Sequence, residues 1–348
     1  MKLRKLLISI LITTIALSVH AQRQMEFLNR GVVATRTSDN SVFIGWRLLG
    51  TDEPDITFDI FRTIGNKTPV KINTKPIIKS TQFTDPNVDF SQNNTYTVKP
   101  AGKKSGEIGN FTLVANQPVG NFLTIPVQSL PGYSIGDGSA ADLDGDGEYE
   151  IIIKREMRPR DNSHAGVTGQ TKLEAYKLDG KFLWRIDLGK NIREGAHYTP
   201  FIVYDLDGDG CAEIAVKTSD GTIDGIGKVL GDSTADHRNE IGKIYKGPEW
   251  LTIFDGRTGA EICTVDYVPG RHPENQNASP AEVKTIWGDD NYNRSERYLA
   301  CVAYLDGVHP SLIMCRGYYT RSVLVAWDFK ENKLTQRWIF DSDDETPG

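Results

Sequence analysis

The sequence predicts an all-β protein, with a β-sandwich in its first third and part of a β-propeller after it. Two observations carry this prediction. Short runs of alternating apolar and polar residues, separated by turn residues, fill the first third of the chain, and this is the pattern of half-buried antiparallel strands. From about residue 118 onward one strand-forming motif recurs, and recurrence of this kind predicts repeated sheets.

The first residues have the layout of a secretory signal peptide. Lys2, Arg4 and Lys5 precede an apolar run over residues 6–19, and small-residue character returns at Ala21. This order of charged, apolar and small residues is typical of export signals, and the run is too short to span a bilayer. We therefore expect a cleaved segment over residues 1–21 and a secreted or periplasmic protein without a membrane span, starting near Gln22.

Charge and cysteine content exclude two classes of function. The net charge is −6, from 40 basic and 46 acidic residues, and no basic block of the kind that follows a phosphate backbone is present. Nucleic acid is therefore not an expected partner. The four cysteines have no CxxC spacing, which argues against a metal–thiolate site. Cys301 and Cys315 either form a disulfide or remain buried thiols.

Residues 22–117 form the first predicted domain. Val42, Ile44 and Trp46 alternate with more polar neighbours, and so do the residues around Phe58 and Ile60. Strands of this length over about 100 residues fit a two-sheet sandwich. Their spacing resembles that of a fibronectin type III module, whose default role is structural.

Residues 118–348 form the second predicted domain, which is built from a repeat. "ADLDGDGEYEIIIKRE" at 141–156 matches "YDLDGDGCAEIAVKTS" at 204–219 without a gap, and a degenerate copy, "YLDGVHPSLIMCRGYY", occupies 304–319. A second strand pair follows each copy, so each unit holds about four strands, as a propeller blade does. Polar, loop-like insertions over 222–247 and 269–293 separate the units. About three blades result, whereas a closed ring needs roughly four to eight, so we expect this chain to carry part of a longer propeller.

The repeated aspartates predict two calcium sites. Carboxylates at positions 1, 3 and 5 of a glycine-containing loop are ligands for a hard cation. An EF-hand would have glutamate at position 12, where Ile153 and Val216 stand, but here a glutamate occupies position 9. The favoured role is to hold the blade loops together, and Val308 and His309 remove the pattern from the third copy. The predicted ligands are Asp142, Asp144, Asp146 and Glu150 in the first loop, and Asp205, Asp207, Asp209 and Glu213 in the second.

The opposite ends of the same strands predict a basic surface. Lys154, Lys217 and Arg316 occupy one aligned position in the three copies, and Tyr318 and Tyr319 follow the last of them. Cations beside aromatic rings suit an acidic sugar polymer, because they pair with its carboxylates while the rings stack on the sugars. The alternative is that these are ordinary strand-end cations that extend into solvent.

These motifs, with "AYKLDGKFLWRIDLGKNIREGAHYTPFIVYDLDGDG" and "VKTSDGTIDGIGKVLGD" between them, resemble the secreted bacterial rhamnogalacturonan lyases of polysaccharide lyase family 11. The resemblance covers essentially the whole mature chain. It implies an eight-bladed, calcium-containing propeller when complete, and cleavage of the rhamnose–galacturonate backbone of pectin, rhamnogalacturonan I, by β-elimination. It also implies an acidic plant cell-wall polysaccharide as partner, and we expect a monomer.

The resemblance leaves the catalytic base unassigned, with four candidates: His197, Lys217, Arg316 and Tyr318. Lys154, Lys217, Arg316, Tyr318 and Tyr319 are the candidates for binding substrate. His197 could equally be a hydrogen-bonded core residue.

Two other functions stay open. One is a calcium-stabilised propeller that binds acidic polysaccharide without cleaving it. The other is a glycoside hydrolase, which needs a pair of carboxylates on either side of one bond. The clustered carboxylates are assigned to the calcium loops and no other acidic pair stands out, so the hydrolase is the least favoured.

Overall fold

A computed structural model describes residues 23–102 and 107–344. The predicted signal peptide, residues 1–21, lies outside the described residues. The prediction of an all-β fold is confirmed, since the described residues form five sheets and one short helix. Within them, no helix is both long enough and apolar enough to cross a membrane.

Two sheets form the first part of the chain. The first has the strand order β1-β2-β6, and the second has the order β4-β3-β7-β8 with β5 also paired to β3. All pairs are antiparallel. The strands are β1 Val33–Arg36, β2 Ser41–Gly45, β3 Thr57–Ile64, β4 Val70–Lys71, β5 Ile77–Ile78, β6 Gln82–Pro86, β7 Asn94–Pro100 and β8 Gly109–Leu113.

One apolar core lies between these two sheets. Val42 and Ile44 of β2 point into it together with Phe58 and Ile60 of β3, and all four are buried. The period of two in the sequence therefore reports the buried face of each strand. Trp46 packs edge-on against Phe58 with ring centroids 5.4 Å apart.

Three sheets follow, and each of them contains a four-stranded antiparallel meander. The first contains β9 Ser134–Ala141, β10 Glu150–Glu156, β11 Lys172–Tyr176 and β12 Phe182–Asp187. The second contains β13 Phe201–Tyr204, β14 Glu213–Thr218, β17 Trp250–Phe254 and β18 Glu261–Asp266. The third contains β19 Tyr298–Ala303, β20 Ser311–Arg316, β21 Val323–Lys330 and β22 Lys333–Asp341.

Consecutive sheets pack face to face. Strand β14 is buried on both sides, because Ile214 and Val216 join the core shared with the β9–β12 sheet while Ala215 joins the core shared with the β19–β22 sheet. The first strands of neighbouring sheets touch each other, β9 with β13 and β13 with β19. The two acidic loops lie at the same position in their sheets, since each joins the first strand of its sheet to the second.

The two insertions contain secondary structure, which differs from the expectation of loops. Strands β15 Thr222–Ile223 and β16 Val229–Leu230 extend the β9–β12 sheet, with Ile223 opposite Asp187. Helix α1, Pro280–Trp287, begins after a capping box formed by Ser279 and Glu282. The helix buries Val283 and Trp287 against the β19–β22 sheet core.

All four cysteines are free thiols; Cys315 is half-buried, whereas Cys301 is exposed, so neither the disulfide nor a buried thiol describes Cys301. Cys301 lies on β19 opposite Ile313, whereas Cys315 on β20 lies opposite Leu299. The two thiols thus belong to different pairs of the ladder.

Candidate functional site

The first acidic loop joins β9 to β10 and wraps around the Asp142 carboxylate. That carboxylate accepts hydrogen bonds from the backbone N–H groups of Gly145 and Gly147, at 2.8 and 2.7 Å. Glu150 closes the loop by accepting from the N–H of Leu143 at 2.8 Å. Both glycines have positive φ, 79° and 85°, a conformation that glycine adopts without steric cost. The DxDxDG sequence adopts this loop because its own carboxylates accept hydrogen bonds from its backbone N–H groups.

A lysine from outside this loop neutralises part of its charge. The ammonium group of Lys177, just after β11, lies 2.8 Å from Asp144, 2.9 Å from Asp146 and 3.0 Å from Glu150. Loop spacing did not indicate this partner, because Lys177 is far from the motif in sequence. Lys177 thus supplies a positive charge to the first loop.

The second acidic loop, between β13 and β14, repeats the geometry. Asp205 accepts from the N–H groups of Gly208 and Gly210, and Glu213 accepts from the N–H of Leu206 at 2.8 Å. No described cation takes the place of Lys177 here. Arg257 contacts only the outer carboxylate, Asp209, at 3.2 Å.

The electrostatics of the second loop favour a bound cation. Burial, and then the charges of Asp207, Asp205 and Asp209, raise the pKa of Glu213 to about 9. Burial likewise raises the pKa of Asp205, and the neighbouring carboxylates add to this. Three ionised carboxylates so close together are costly unless a positive charge is present.

The donor atoms fit a small hard cation in both loops. Carboxylate oxygens of Asp142, Asp144 and Asp146 lie within 4.8 Å of one another, and so do those of Asp205, Asp207 and Glu213. Each set contains three of the four predicted ligands, because Glu150 is not part of the first set and Asp209 is not part of the second. Oxygen-rich sets of this kind suit Ca²⁺ or Mg²⁺.

In the third copy a histidine holds the aspartate. Asp306 accepts from the N–H groups of Val308 and His309 and contacts His309 Nδ1 at 2.9 Å. These hydrogen bonds from His309 and Val308 lower the pKa of Asp306.

At the opposite ends of the strands, Lys154 is buried. Its ammonium group lies 2.5 Å from Asp137 and 3.5 Å from Glu156. Asp137 is on the neighbouring strand β9 and is exposed, so this ion pair lies just below the surface.

Lys217 and Arg316 belong to one buried ion-pair network. Glu249 lies 2.9 Å from Lys217 and 2.9 Å from Arg316, while Glu296 lies 3.0 Å from Arg316. Arg271 joins both glutamates, at 3.2 Å each. Burial acts to raise the pKa of Glu249, but the surrounding arginines and Lys217 hold it well below its usual value.

The exposed basic surface expected from the alignment is not formed by these three cations. The register does place them at equivalent positions, opposite Leu173, Leu251 and Val323. However, Lys154, Lys217 and Arg316 are 1%, 6% and 1% exposed. Lys217 and Arg316 are balanced by the buried carboxylates of Glu249 and Glu296, which lie outside the aligned repeat. Lys154 is balanced by Asp137 and Glu156. Their role in binding substrate stays a prediction.

The aromatic candidates lie near the surface beside an arginine. Tyr319 is 87% exposed, and its ring centroid lies 4.4 Å from that of half-buried Tyr318. The guanidinium of Arg297 covers the Tyr318 ring at 4.5 Å. Half-buried His197 lies in the same region, since its backbone carbonyl accepts from the N–H of Tyr298, the residue after Arg297, at 3.0 Å. Burial, and then the charges of Arg297 and Lys154, lower the pKa of His197.

Three functional-site residues were missed by sequence reasoning: Arg297, Glu249 and Lys177. Glu249 and Lys177 lie outside the aligned repeat, so only the fold brings them to it. Arg297 precedes β19 directly, and its position next to the aromatic pair follows from the antiparallel pairing of β19 with β20. In the sequence, this position of Arg297 could have been inferred only from the expected pairing of the "RYLACVA" and "SLIMCR" strands.

Two family models match the chain. Residues 124–348 match the model described as rhamnogalacturonan lyase family 11, C-terminal domain, and residues 23–108 match the rhamnogalacturonan I lyases beta-sheet domain.

Curated relatives and solved structures agree with these models. The chain is 47% identical to the rhamnogalacturonan exolyase YesX of Bacillus subtilis, over 92% of this chain and 51% of that protein. It is 46% identical to the rhamnogalacturonan endolyase YesW of the same species, over 92% and 50%. The crystal structure of exotype YesX superposes with a TM-score of 0.80 at 46% identity, covering 93% of this chain and 52% of that one. A Bacillus licheniformis rhamnogalacturonan lyase, PL11, gives 0.78 at 48% identity, covering 93% and 54%. The chain therefore spans about half the length of the curated relatives it matches.

Proposed function

Since the chain belongs to rhamnogalacturonan lyase family 11, we propose that it acts in the cleavage of rhamnogalacturonan I by β-elimination. The observation that carries this proposal is the match of nearly the whole chain, at 46–47% identity, to proteins named as rhamnogalacturonan lyases. Exo and endo cleavage are both represented among these relatives, at nearly equal identity, so the proposal covers the reaction and not the mode of cleavage.

β-Elimination sets three requirements on the protein. A base removes the proton from C5 of the galacturonate, and the electron pair of that C–H bond forms the C4=C5 double bond. The oxygen that leaves as the C4–O bond breaks must take up a proton, from the protonated base or from water. A cation must also balance the charge that builds up next to the uronate carboxylate.

Among the four candidate bases, His197 meets the first requirement best. Burial and Arg297 lower its pKa, which keeps the imidazole neutral and able to accept a proton near neutral pH. Arg297 supplies an accessible guanidinium for the carboxylate, and Tyr318 and Tyr319 supply rings on which a sugar can stack. Lys217 and Arg316 instead hold the buried network behind this face, through Glu249. Lys154 pairs with Asp137 at its margin.

The architecture in this proposal has two domains, a fibronectin type III-like sandwich over residues 22–117 and about three propeller blades over residues 118–348. The shared core of the first two sheets supports the sandwich. The four-stranded meanders and the contacts between their first strands, β9–β13 and β13–β19, support a radial arrangement of blades. The sheet at the chain's C-terminal side leaves Trp338, Ile339 and Phe340 of β22 partly exposed, as expected where a further blade packs.

Calcium is the cofactor in this proposal, and its role is structural. Asp142, Asp144 and Asp146 would hold one ion, and Asp205, Asp207 and Glu213 another. When bound, the ion would neutralise the repulsion between the carboxylates of a loop. The chain's own residues at the opposite strand ends carry out the binding and proton transfer.

The proposal also includes the location of the protein, its partner and its oligomeric state. The charged, apolar and small-residue layout of residues 1–21 supports export, to the periplasm or the medium. The partner is an acidic plant cell-wall polysaccharide, and the protein acts as a monomer.

One alternative is favoured by a specific observation. The chain spans about half the length of the lyases that it matches, which favours, as the alternative, a propeller that binds acidic polysaccharide without cleaving it.

One assay separates these functions. The chain is incubated with rhamnogalacturonan I, and the ultraviolet absorbance of the unsaturated uronate is followed alongside the release of reducing ends. The lyase proposal requires absorbance and reducing ends to rise together. Reducing ends without absorbance would identify a hydrolase, and retention of the chain on immobilised polysaccharide with neither signal would leave binding alone.

A further inference from the structure

A small cavity lies behind the candidate site, among the segment before β13, both insertions and the end of β14. Its volume is about 20 Å³, and a water molecule needs roughly 10–15 Å³ measured in this way. The cavity therefore has room for one species of about the size of a water molecule. A sugar or a phosphate is too large for it.

The lining of this cavity is strongly cationic. Arg193, Lys217, Lys243 and Arg271 contribute to it, against the single carboxylate of Glu296. All five side chains are at least nine-tenths buried. The adjoining network adds one charge of each sign, Glu249 and Arg316, so the positive excess is not cancelled.

Two of these cations have no ion pair with any described carboxylate. The ammonium group of Lys243 donates only to the backbone carbonyls of Asn162 and Asn291, at 3.1 and 2.6 Å. Arg193 donates to the Tyr198 hydroxyl and to the carbonyls of His164 and Gly166. Burial, and then the charge of Arg193, lower the pKa of Lys243. Buried charges without a counterion are costly.

Two buried donors at the cavity also have no acceptor among the described residues. They are Nε of Arg193 and Nη1 of Arg271. An unsatisfied buried donor costs roughly 1–3 kcal/mol, and more when it is charged. Both the unpaired donors and the charge excess call for an anion.

We propose that this cavity binds a single monatomic anion of the halide class, chloride under physiological conditions, between Arg193, Lys243 and Arg271. A metal cation is excluded by the sign of the lining. A water molecule would satisfy the donors but would leave the charge excess. The site does not depend on polysaccharide cleavage, because the anion joins the two insertions to the strand ends whatever the chain acts upon.

The direct test is crystallographic. Crystals of the chain are grown or soaked in sodium bromide, and data are collected at the bromine absorption edge. An anomalous peak in the cavity, within hydrogen-bond distance of Arg193 Nε and Arg271 Nη1, is the expected result. Surface bromide peaks with ordinary water density in the cavity would overturn the proposal.

A solution test uses thermal unfolding in sodium chloride and in sodium methanesulfonate, whose anion does not fit the cavity, at equal concentrations. We expect chloride to raise the wild-type midpoint by about 3–5 °C for each tenfold rise above its dissociation constant. Lys243→Met removes one ligand and abolishes this difference between the salts. Lys246→Met is the matched control, because Lys246 is exposed and three residues away, and it retains the difference.

Equal responses of wild type, Lys243→Met and Lys246→Met to the two salts would contradict the site. If Lys243→Met fails to fold, the bromide experiment on the wild-type chain decides alone.

Discussion

At the scale of single residues, the position of a charge in a repeat did not reveal its environment. Lys154, Lys217 and Arg316 align as the repeat predicts, yet each is buried against carboxylates. The partner of Arg316, Glu249, is 67 residues away in sequence, so no local pattern could indicate it. The same holds for Lys177, which reaches the first acidic loop from the end of β11. Long-range ion pairs depend on the fold, and a sequence without its fold gives only the positions of the charges.

Arg316→Ala should destabilise the protein more than it weakens binding of acidic sugars. The substitution leaves Glu249 and Glu296 buried with one cation fewer, and breaking a buried pair typically costs about 3–5 kcal/mol. Chemical denaturation measures this loss. Arg337→Ala is the control, since its pair with Asp328 is partly exposed and surface pairs are worth about 0–1 kcal/mol. Unchanged stability together with a tenfold loss of binding to acidic oligomers would instead place Arg316 in the binding surface.

Lys177→Met should make the first loop dependent on a metal ion. Without its ammonium group, Asp144, Asp146 and Glu150 repel one another, so the midpoint of thermal unfolding in chelator should fall. Added calcium should restore most of the loss. Lys181→Met, at an exposed site nearby, should leave both midpoints unchanged. A variant that is equally stable with and without chelator would show that Lys177 is not the counterion of this loop.

At the scale of elements, the strands and the acidic loops could be predicted from sequence, whereas the one helix of the described residues was missed because it lies in an insertion. The strands follow from the alternation of apolar and polar residues, and the two acidic loops follow from the repeated carboxylate spacing. Both patterns lie within short stretches of consecutive residues. Helix α1 was overlooked within a polar insertion. Its signals were present, as Ser279 and Glu282 form a capping box around Pro280, but the polar composition of 269–293 obscured them. The third loop was distinguished from the other two by Val308 and His309, and His309 does pair with Asp306.

The acidic loops should make stability depend on calcium. Binding at a hundredfold excess over the dissociation constant adds about 2.7 kcal/mol for one site, so calcium should raise the midpoint of thermal unfolding. Replacing both Asp144 and Asp207 with alanine should abolish that rise. Asp306→Ala, in the third loop, is the control and should retain it. If the double variant gains as much stability from calcium as the wild type does, the two loops are not calcium sites.

At the scale of the whole molecule, the family could be recognised from sequence because long motifs recur in a fixed order. The arrangement of the candidate site could not, because it is assembled from the ends of β10, β14 and β20, the segments before β13 and β19, and both insertions. The fold places different groups of residues at the two ends of the strands. Acidic loops close one end, a buried ion-pair network with a cationic cavity fills the other, and His197, Arg297, Tyr318 and Tyr319 lie near the surface beyond it.

Turnover of one histidine variant decides whether His197 is the base in the β-elimination proposed for this chain. His197→Gln and His309→Gln are compared with the wild type by the rate of unsaturated-uronate absorbance on rhamnogalacturonan I, with thermal midpoints recorded for all three. We expect His197→Gln to lose about 100-fold or more in kcat at an unchanged midpoint, while His309→Gln, at the far end of the strands, keeps the wild-type rate. A wild-type rate in the folded His197→Gln variant would contradict this role of His197.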